Sequence, residues 1–350
     1  MKKLIYFITA LAVLGLSSCG ADTENAVSKD VSSKEEVAIV QSEDNVTQSS
    51  SAEDSEAHSL DDTTVDNSID SSEEKENLLY SGDYGYTLVN TVAMLCHYKG
   101  NETELELPSE LDGYTLTAVT EEAFANNTKL KSIKIADTVV NISDAAFDNC
   151  TALEYVYLGS SVAVLNVKTF DGCSALKEIE VSSANKNYSS SDGVLYNGDK
   201  TELLRCPCAT DTEELTVADT VVTVGEYAFS NCKGLKKVIL PDDCQLKQGS
   251  FFYCMDLEEI ELGASLTAIP EKCFFGCVML KEIKVPKGVS LIGDYAYFGC
   301  ISAKSASLPE SVTEIGKNVF KSCSALKKIS TEGEYLKEWY NTEGKDYINS

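Results

Sequence analysis

An aromatic residue followed three positions later by a cysteine recurs seven times in the 350 residues, and this constrains the fold more than any other feature. The pairs are Phe147 with Cys150, Phe170 with Cys173, Phe229 with Cys232, Phe251 with Cys254, Phe274 with Cys277, Tyr297 with Cys300 and Phe320 with Cys323. They belong to units patterned Leu-x-x-Ile-x-Leu, with starts at Leu130, Leu153, Leu176, Leu235, Leu257, Leu280, Ala303 and Leu326. Five of the intervals are 23 residues and one, Leu235 to Leu257, is 22. Apolar positions recur inside the unit, as in the column Ile133, Val156, Val238, Ile260, Ile283 and, further along, Ile142, Leu165, Ile269, Ile292, Ile315. Alternation at the head of each unit predicts a short strand, and a unit this small cannot bury its apolar face alone. Stacking the units solves that problem. With parallel strands about 4.8 Å apart, ten strands between Leu105 and Ile329 make a solenoid roughly 43 Å long.

Units such as LKEIKVPKGVSLIGDYAYFGC and LEEIELGASLTAIPEKCFFGC resemble the BspA-like class of bacterial leucine-rich repeats, over about Tyr84 to Ile329. The resemblance implies an α/β-type repeat solenoid, a leucine-rich repeat with short parallel strands and about 23 residues per coil. Between Val181 and Thr212 the unit is interrupted, and Val194–Tyr196, an Asn197-Gly198 turn and Glu202–Cys206 read as a hairpin insertion at about 182–211. Asn127 stands where later units carry cysteine, which suits a position facing polar backbone. Tyr84 to His97 reads as an N-terminal cap and Glu334 to Tyr340 as a short closing helix, since bare solenoid ends present a strand edge.

Met1 to Cys19 has two lysines, a mostly apolar run from Leu4 to Leu16 and small residues before a cysteine, the pattern of a secretory signal. A membrane span needs about 20 apolar residues, and the run is shorter. Leu16-Ser17-Ser18-Cys19 resembles the lipobox of bacterial lipoproteins, which implies acylation of Cys19 and a lipid anchor in the bacterial membrane or at the cell surface. From Ala21 to Leu79 there is no aromatic, glycine, proline or cysteine, so no core can form there and the stretch is expected to be a disordered stalk. As a coil it would reach roughly 45 Å. The expected organisation is a signal and lipobox over 1–19, an acidic Ser/Thr-rich stalk over 20–79, repeats over 80–330 and a C-terminal cap over 331–350.

A formal net charge of −27 with no basic cluster argues against an electrostatically bound nucleic acid. The two histidines, His58 and His97, leave little material for imidazole triads or His-rich metal sites. Of 13 cysteines, seven fall in the repeat column and read as buried free thiols that act as small apolar residues. Cys206-Pro-Cys208 is a lone C-x-C, too weak to argue for a metal, and Cys273 takes the place of alanine in the column Ala146, Ala228, Ala296. Cys96 and Cys244 have no partner that the sequence identifies. No nucleophile with a base, no paired catalytic carboxylates and no phosphate loop is visible, so the chain is expected to be no enzyme, with no cofactor and no metal. Glutamates on strands, such as Glu259 and Glu261, read as a solvated face.

What remains is recognition. The expected function is a surface-anchored protein binding an extracellular protein or glycan, adhesion-like, with a structural or assembly role in the envelope, or substrate capture by a lipoprotein, as alternatives. Substrate capture would need a pocket, and none is expected on a solenoid. On the strand holding Val156 and Leu158, alternation turns Tyr155 and Tyr157 outward together, where other units carry Lys, Glu or Ser. Tyr155 and Tyr157, flanked by Lys134 and Glu180, are the candidate ligand site. The alternative is that the pair covers a neighbouring loop such as the 182–211 hairpin.

Overall fold

The computed structural model describes residues 78–166 and 168–348; the signal segment, Cys19, His58 and the acidic stretch up to Asn77 lie outside the described residues. Each coil contributes a strand at its head, and ten such strands run from Glu104–Glu106 to Lys328–Thr331. They pair in parallel and in register with the residue one coil away: Ile133 with Val156, Val156 with Ile179, Val238 with Ile260, Ala306 with Ile329. Alternation along each strand sends one set of side chains inward. Ile133, Val156, Ile179, Val238 and Ile283 are all buried.

The return side of each coil is built from turns and a second strand of two residues, not from a helix. Asn141–Ile142, Thr223–Val224, Ala268–Ile269 and Leu291–Ile292 are such strands, and they form their own parallel ladders. The apolar column therefore runs through separate short sheets on the return side, with Ile142 in the first and Ile269 and Ile292 in another. The α-helix Glu334–Thr342 closes the C-terminal end by burying Leu336 and Trp339. At the other end Tyr84–Val89 and Val92–Tyr98 pair antiparallel, and Val92–Tyr98 then joins the first coil through parallel pairing with Tyr114–Val119.

Inside the turns runs a column of rings. Tyr84, Tyr98, Phe124, Phe147 and Phe170 follow one another at centroid distances of 5.4, 5.2, 5.0 and 5.6 Å. Phe229, Phe251, Phe274, Tyr297 and Phe320 continue it at 4.7, 5.2, 5.1 and 5.8 Å, and Trp339 closes it at 6.2 Å. Between Phe170 and Phe229 no ring stands in the column. Cys206 takes that place, with its N–H donated to Ala228 O at 2.7 Å just as Phe124 N–H goes to Ala146 O at 2.9 Å.

The inserted segment explains the gap. Tyr188–Ser191, Val194–Asn197 and Glu202–Arg205 form an antiparallel meander whose last strand rejoins the stack in parallel with Thr223–Val224. The buried apolar residues accordingly fall into two clusters that meet here. Leu195 belongs to the first, which begins at Tyr86, while Val194 and Tyr196 belong to the second, which ends at Trp339. The two-residue period of one strand thus serves as a wall between two cores.

Candidate functional site

On the strand Tyr155–Leu158, Val156 and Leu158 are fully buried and Tyr155 and Tyr157 face out, half-buried. Parallel register sets Tyr155 between Ser132 and Glu178, and Tyr157 between Lys134 and Glu180. The Tyr155 hydroxyl donates to the Glu180 carboxylate. Burial first, then that bond and the negative charge behind it, holds the phenol well above its ordinary pKa. Lys134 Nζ donates to Glu106 Oε1 at 2.6 Å and lies 6.0 Å from the centroid of the Tyr157 ring. The bond to Glu106 keeps the ammonium protonated beyond its usual range. The meander joins the stack on the far side of Glu178–Val181, where Ile179 N–H donates to Gly193 O at 2.9 Å.

The four expected site residues are therefore neighbours, but they divide. Lys134 and Tyr157 line a shallow concavity of about 450 Å³ together with Glu106, Pro108, Asp137 and Thr138, whereas Tyr155 and Glu180 do not line it. It is a shallow depression open to solvent and not an enclosed pocket, and it lies where the chain leaves the strand. Asp137 Oδ1 accepts the Ser160 N–H at 2.6 Å, and this bond holds its carboxyl below the usual range. An aromatic wall, a cation and two carboxylates offer stacking and directional hydrogen bonds at once. Neither Glu106 nor Asp137 stands out in the sequence, because exposed carboxylates recur throughout the strand face; the register pairs Glu106 with Lys134 directly.

The interior cysteines differ from the expectation of small apolar residues. Six of the seven column thiols donate to the carbonyl of the aromatic residue one coil back, among them Cys150 to Phe124 O at 3.1 Å, Cys173 to Phe147 O at 3.2 Å, Cys254 to Phe229 O at 2.9 Å, Cys277 to Phe251 O at 3.1 Å and Cys323 to Tyr297 O at 3.1 Å, whereas Cys232 donates to Cys206 O at 3.5 Å. The same carbonyls accept the turn N–H three residues on, as Phe251 O does from Cys254 at 3.2 Å. Both lone pairs of a buried acceptor are thereby used. Asn127 works in the opposite sense, its Oδ1 accepting from the N–H groups of Lys129 and Leu130 at 3.0 Å each. All 12 cysteines among the described residues are free. Cys96 is partly exposed beside Thr87, and Cys244 is buried, its thiol pushed up to about 11 by burial.

Where the ring column is broken lies Arg205, the only arginine in the sequence and 4% exposed. Its Nη1 donates to Tyr227 O at 3.3 Å and sits 3.8 Å from Asp171 Oδ1; its Nη2 is 3.4 Å from Cys208 Sγ, and Nε has no partner. Burial raises the Asp171 carboxyl despite the pull of that guanidinium. Nothing in the residue pattern points to this group, because a lone arginine on a strand ordinarily faces solvent. Among the described residues no three side chains from His, Cys, Asp and Glu are placed to hold a metal ion.

A family model described as BspA type leucine rich repeat region matches in 6 copies over residues 91–202 and 205–327. Among solved structures, the chain is similar to a leucine rich cell surface protein from Faecalibacterium prausnitzii, at 22% identity, 75% of this chain and 96% of that one, with a TM-score of 0.49. It is also similar to the pneumococcal vaccine antigen PcpA, at 16% identity over 76% and 96% with a TM-score of 0.48, and to a leucine-rich repeat protein from Bacteroides ovatus, at 23% over 73% and 89% with a TM-score of 0.31. No curated protein matches the chain.

Proposed function

Because this chain belongs to the BspA-type leucine-rich repeat family, a family of repeat proteins associated with surface recognition, we propose that it is an exported, surface-anchored recognition protein that captures an extracellular protein or glycan on its exposed strand face. The observation that carries this reading is the concavity beside Tyr157 and Lys134, an aromatic and a cation among carboxylates on a face that elsewhere shows mostly Lys, Glu and Ser. Tyr155 and Glu180 extend the same face by one residue and one coil. Leucine-rich repeat proteins generally bind protein ligands along such extended surfaces. No helix among the described residues is long and apolar enough to cross a membrane; anchoring through a lipid on Cys19 is supported by the Leu16-Ser17-Ser18-Cys19 sequence alone. One acyl chain binds a membrane only marginally, whereas several hold firmly.

Replacing both Tyr155 and Tyr157 by alanine should leave circular dichroism unchanged and weaken adhesion to immobilised matrix proteins or glycans tenfold or more, about 1.4 kcal/mol. Undiminished binding by the folded variant would remove these residues from the site. The concavity also gives substrate capture a footing; calorimetry showing a tight small-molecule ligand and no adhesion would favour that reading. Anchoring is tested separately, since metabolic fatty-acid label should mark the wild type and not Cys19→Ala.

A further inference from the structure

The repeat allows each surface position to be compared with the same position in other coils. One row follows the inward aromatic directly, and its register is set by backbone bonds: Asn126 N–H to Asp148 O at 2.8 Å, Asn149 to Asp171 at 2.8 Å, Asn231 to Phe252 at 2.9 Å, Tyr253 to Phe275 at 2.7 Å, Gly276 to Phe298 at 2.8 Å and Gly299 to Lys321 at 2.9 Å. Along this outward row stand Asp148 and Asp171, then Ser230, then three phenylalanines in consecutive coils, then Lys321. The phenylalanines are half-exposed and stack on one another, Phe252 on Phe275 at 5.2 Å and Phe275 on Phe298 at 4.7 Å.

Apolar residues also stand in the two neighbouring rows. The residue after the row is left-handed throughout, and the types that occupy it are Asn126, Asn149, Gly172, Asn231, Gly276, Gly299 and Ser322, with Tyr253 the exception at φ 54°. The Tyr253 ring is 40% exposed and lies across Gly276, where a Cβ would come within 2.5 Å of it. In the row after the cysteine, Lys233 is followed by Met255, Val278, Ile301 and then Ser324; Met255 and Ile301 are 44% and 48% exposed, and Met279, next to Val278, is 42% exposed. Single exposed apolar residues are ordinary; two rows turning apolar over the same three coils, with Tyr253 between them in one coil, form a patch of the kind that marks an interaction surface.

The chemistry narrows the partner. Parallel stacking hides the phenylalanine faces and presents edges, with two thioethers beside them, which suits apolar side chains better than the flat face of a sugar. The charges at the ends of the patch point to the partner's sign. On the strand face Lys134, Lys177, Lys236, Lys237, Lys281 and Lys284 are paired with glutamate, while Lys328 on the last strand is exposed and makes no ion pair among the described residues. Lys233 and Lys321, which bound the patch at its two ends, are exposed and make no ion pair among the described residues, while the nearby Asp256 carboxylate is taken by the Gly234 N–H at 2.9 Å. We propose that the patch formed by Phe252, Tyr253, Phe275, Phe298, Met255 and Ile301 is a docking surface for a protein segment carrying apolar and acidic side chains. It lies on the turn edge, apart from the strand-face site around Tyr157.

The test uses the chain itself and a synthetic fifteen-residue peptide alternating leucine or phenylalanine with glutamate, read by calorimetry. The triple variant Phe252→Ser, Tyr253→Asn, Phe298→Ser installs residues that Ser230 and Asn231 already hold at the same register. It should keep the wild-type thermal midpoint within a few degrees and lose peptide affinity tenfold or more. Lys233→Gln with Lys321→Gln should weaken binding severalfold and flatten its salt dependence, and the Tyr155, Tyr157 double variant should bind the peptide as the wild type does. The proposal is overturned by equal binding of a peptide with lysine in place of glutamate, or by unchanged binding in both patch variants. It is equally overturned if phosphatidylglycerol vesicles bind and the peptide does not, or if sedimentation shows a wild-type dimer that the triple variant loses, which would make the occupant a second copy.

Discussion

The coils on the two sides of the meander obey one interior rule and carry different exteriors. In the first core, from Tyr86 to Leu195, the outward row after the aromatic reads Asp148 and Asp171; in the second, from Val194 to Trp339, it reads Phe252, Phe275 and Phe298. Inside, Phe147 between Phe124 and Phe170 is matched by Phe274 between Phe251 and Tyr297, ring on ring. The interior is held constant because each column residue must fit two neighbours at a fixed coil spacing, so any change is felt twice. An outward side chain meets solvent and is free to diverge. The cores also differ in their thiols, two in the first against eight in the second.

Alkaline pH should break the comparison most strongly. Burial raises the thiols of Cys254, Cys273 and Cys300, and that of Cys244 to about 11. A folded-state pKa above the unfolded one gives stability that is full below the unfolded value, about 8.5, and is lost as pH rises through the folded value. Each such thiol adds a slope of up to about 1.4 kcal/mol per pH unit, and the first core holds one raised thiol, Cys173, against several in the second, so raising the pH from about 9 to 11 should destabilise the second core more than the first. Hydrogen exchange by mass spectrometry reads this, and equal loss of protection in both cores would show that the meander does not separate them.

Next in size is Phe274→Ala, which leaves a cavity between two stacked rings and should cost about 3 to 5 kcal/mol in denaturant unfolding. Exchange should quicken between Val217 and Ile329 more than between Tyr86 and Val181, and Phe147→Ala should do the reverse. Smaller still is Cys277→Ala, which removes a donor from Phe251 O and some packing, for about 1 to 2 kcal/mol. Cys277→Asp should cost clearly more, through a buried charge. In the native wild type the column thiols should resist alkylation and react on unfolding.

What could be read beforehand was whatever repeats. The inward columns, the head strands and the outward turn of Tyr155 and Tyr157 follow from a two-residue period on a 23-residue coil. Three things did not follow. The thiol bonds join residues 25 or 26 apart, as in Cys254 to Phe229 and Cys277 to Phe251, an offset that has meaning only once the coil's closure is known. The buried Arg205 depends on a missing ring, and a gap in a column is visible only in three dimensions. The outward phenylalanines were present as the doublets Phe251-Phe252, Phe274-Phe275 and Tyr297-Phe298, but the inward member alone had been matched to a cysteine.

The wall of Val194, Leu195 and Tyr196 bears on how the stack would yield to force. Bonds between coils run along the stacking axis, so tension applied at the two ends of the stack loads them one coil after another, and each freed coil of 23 residues adds roughly 80 Å of chain. A tear that starts at the helix Glu334–Thr342 consumes the second core coil by coil until it reaches the antiparallel meander, whose middle strand Val194–Asn197 is held on both edges by the strands before and after it in the chain. The first core is then still closed, so a molecule pulled at its ends would lengthen in saw-teeth and pause near its middle with half of its binding face intact.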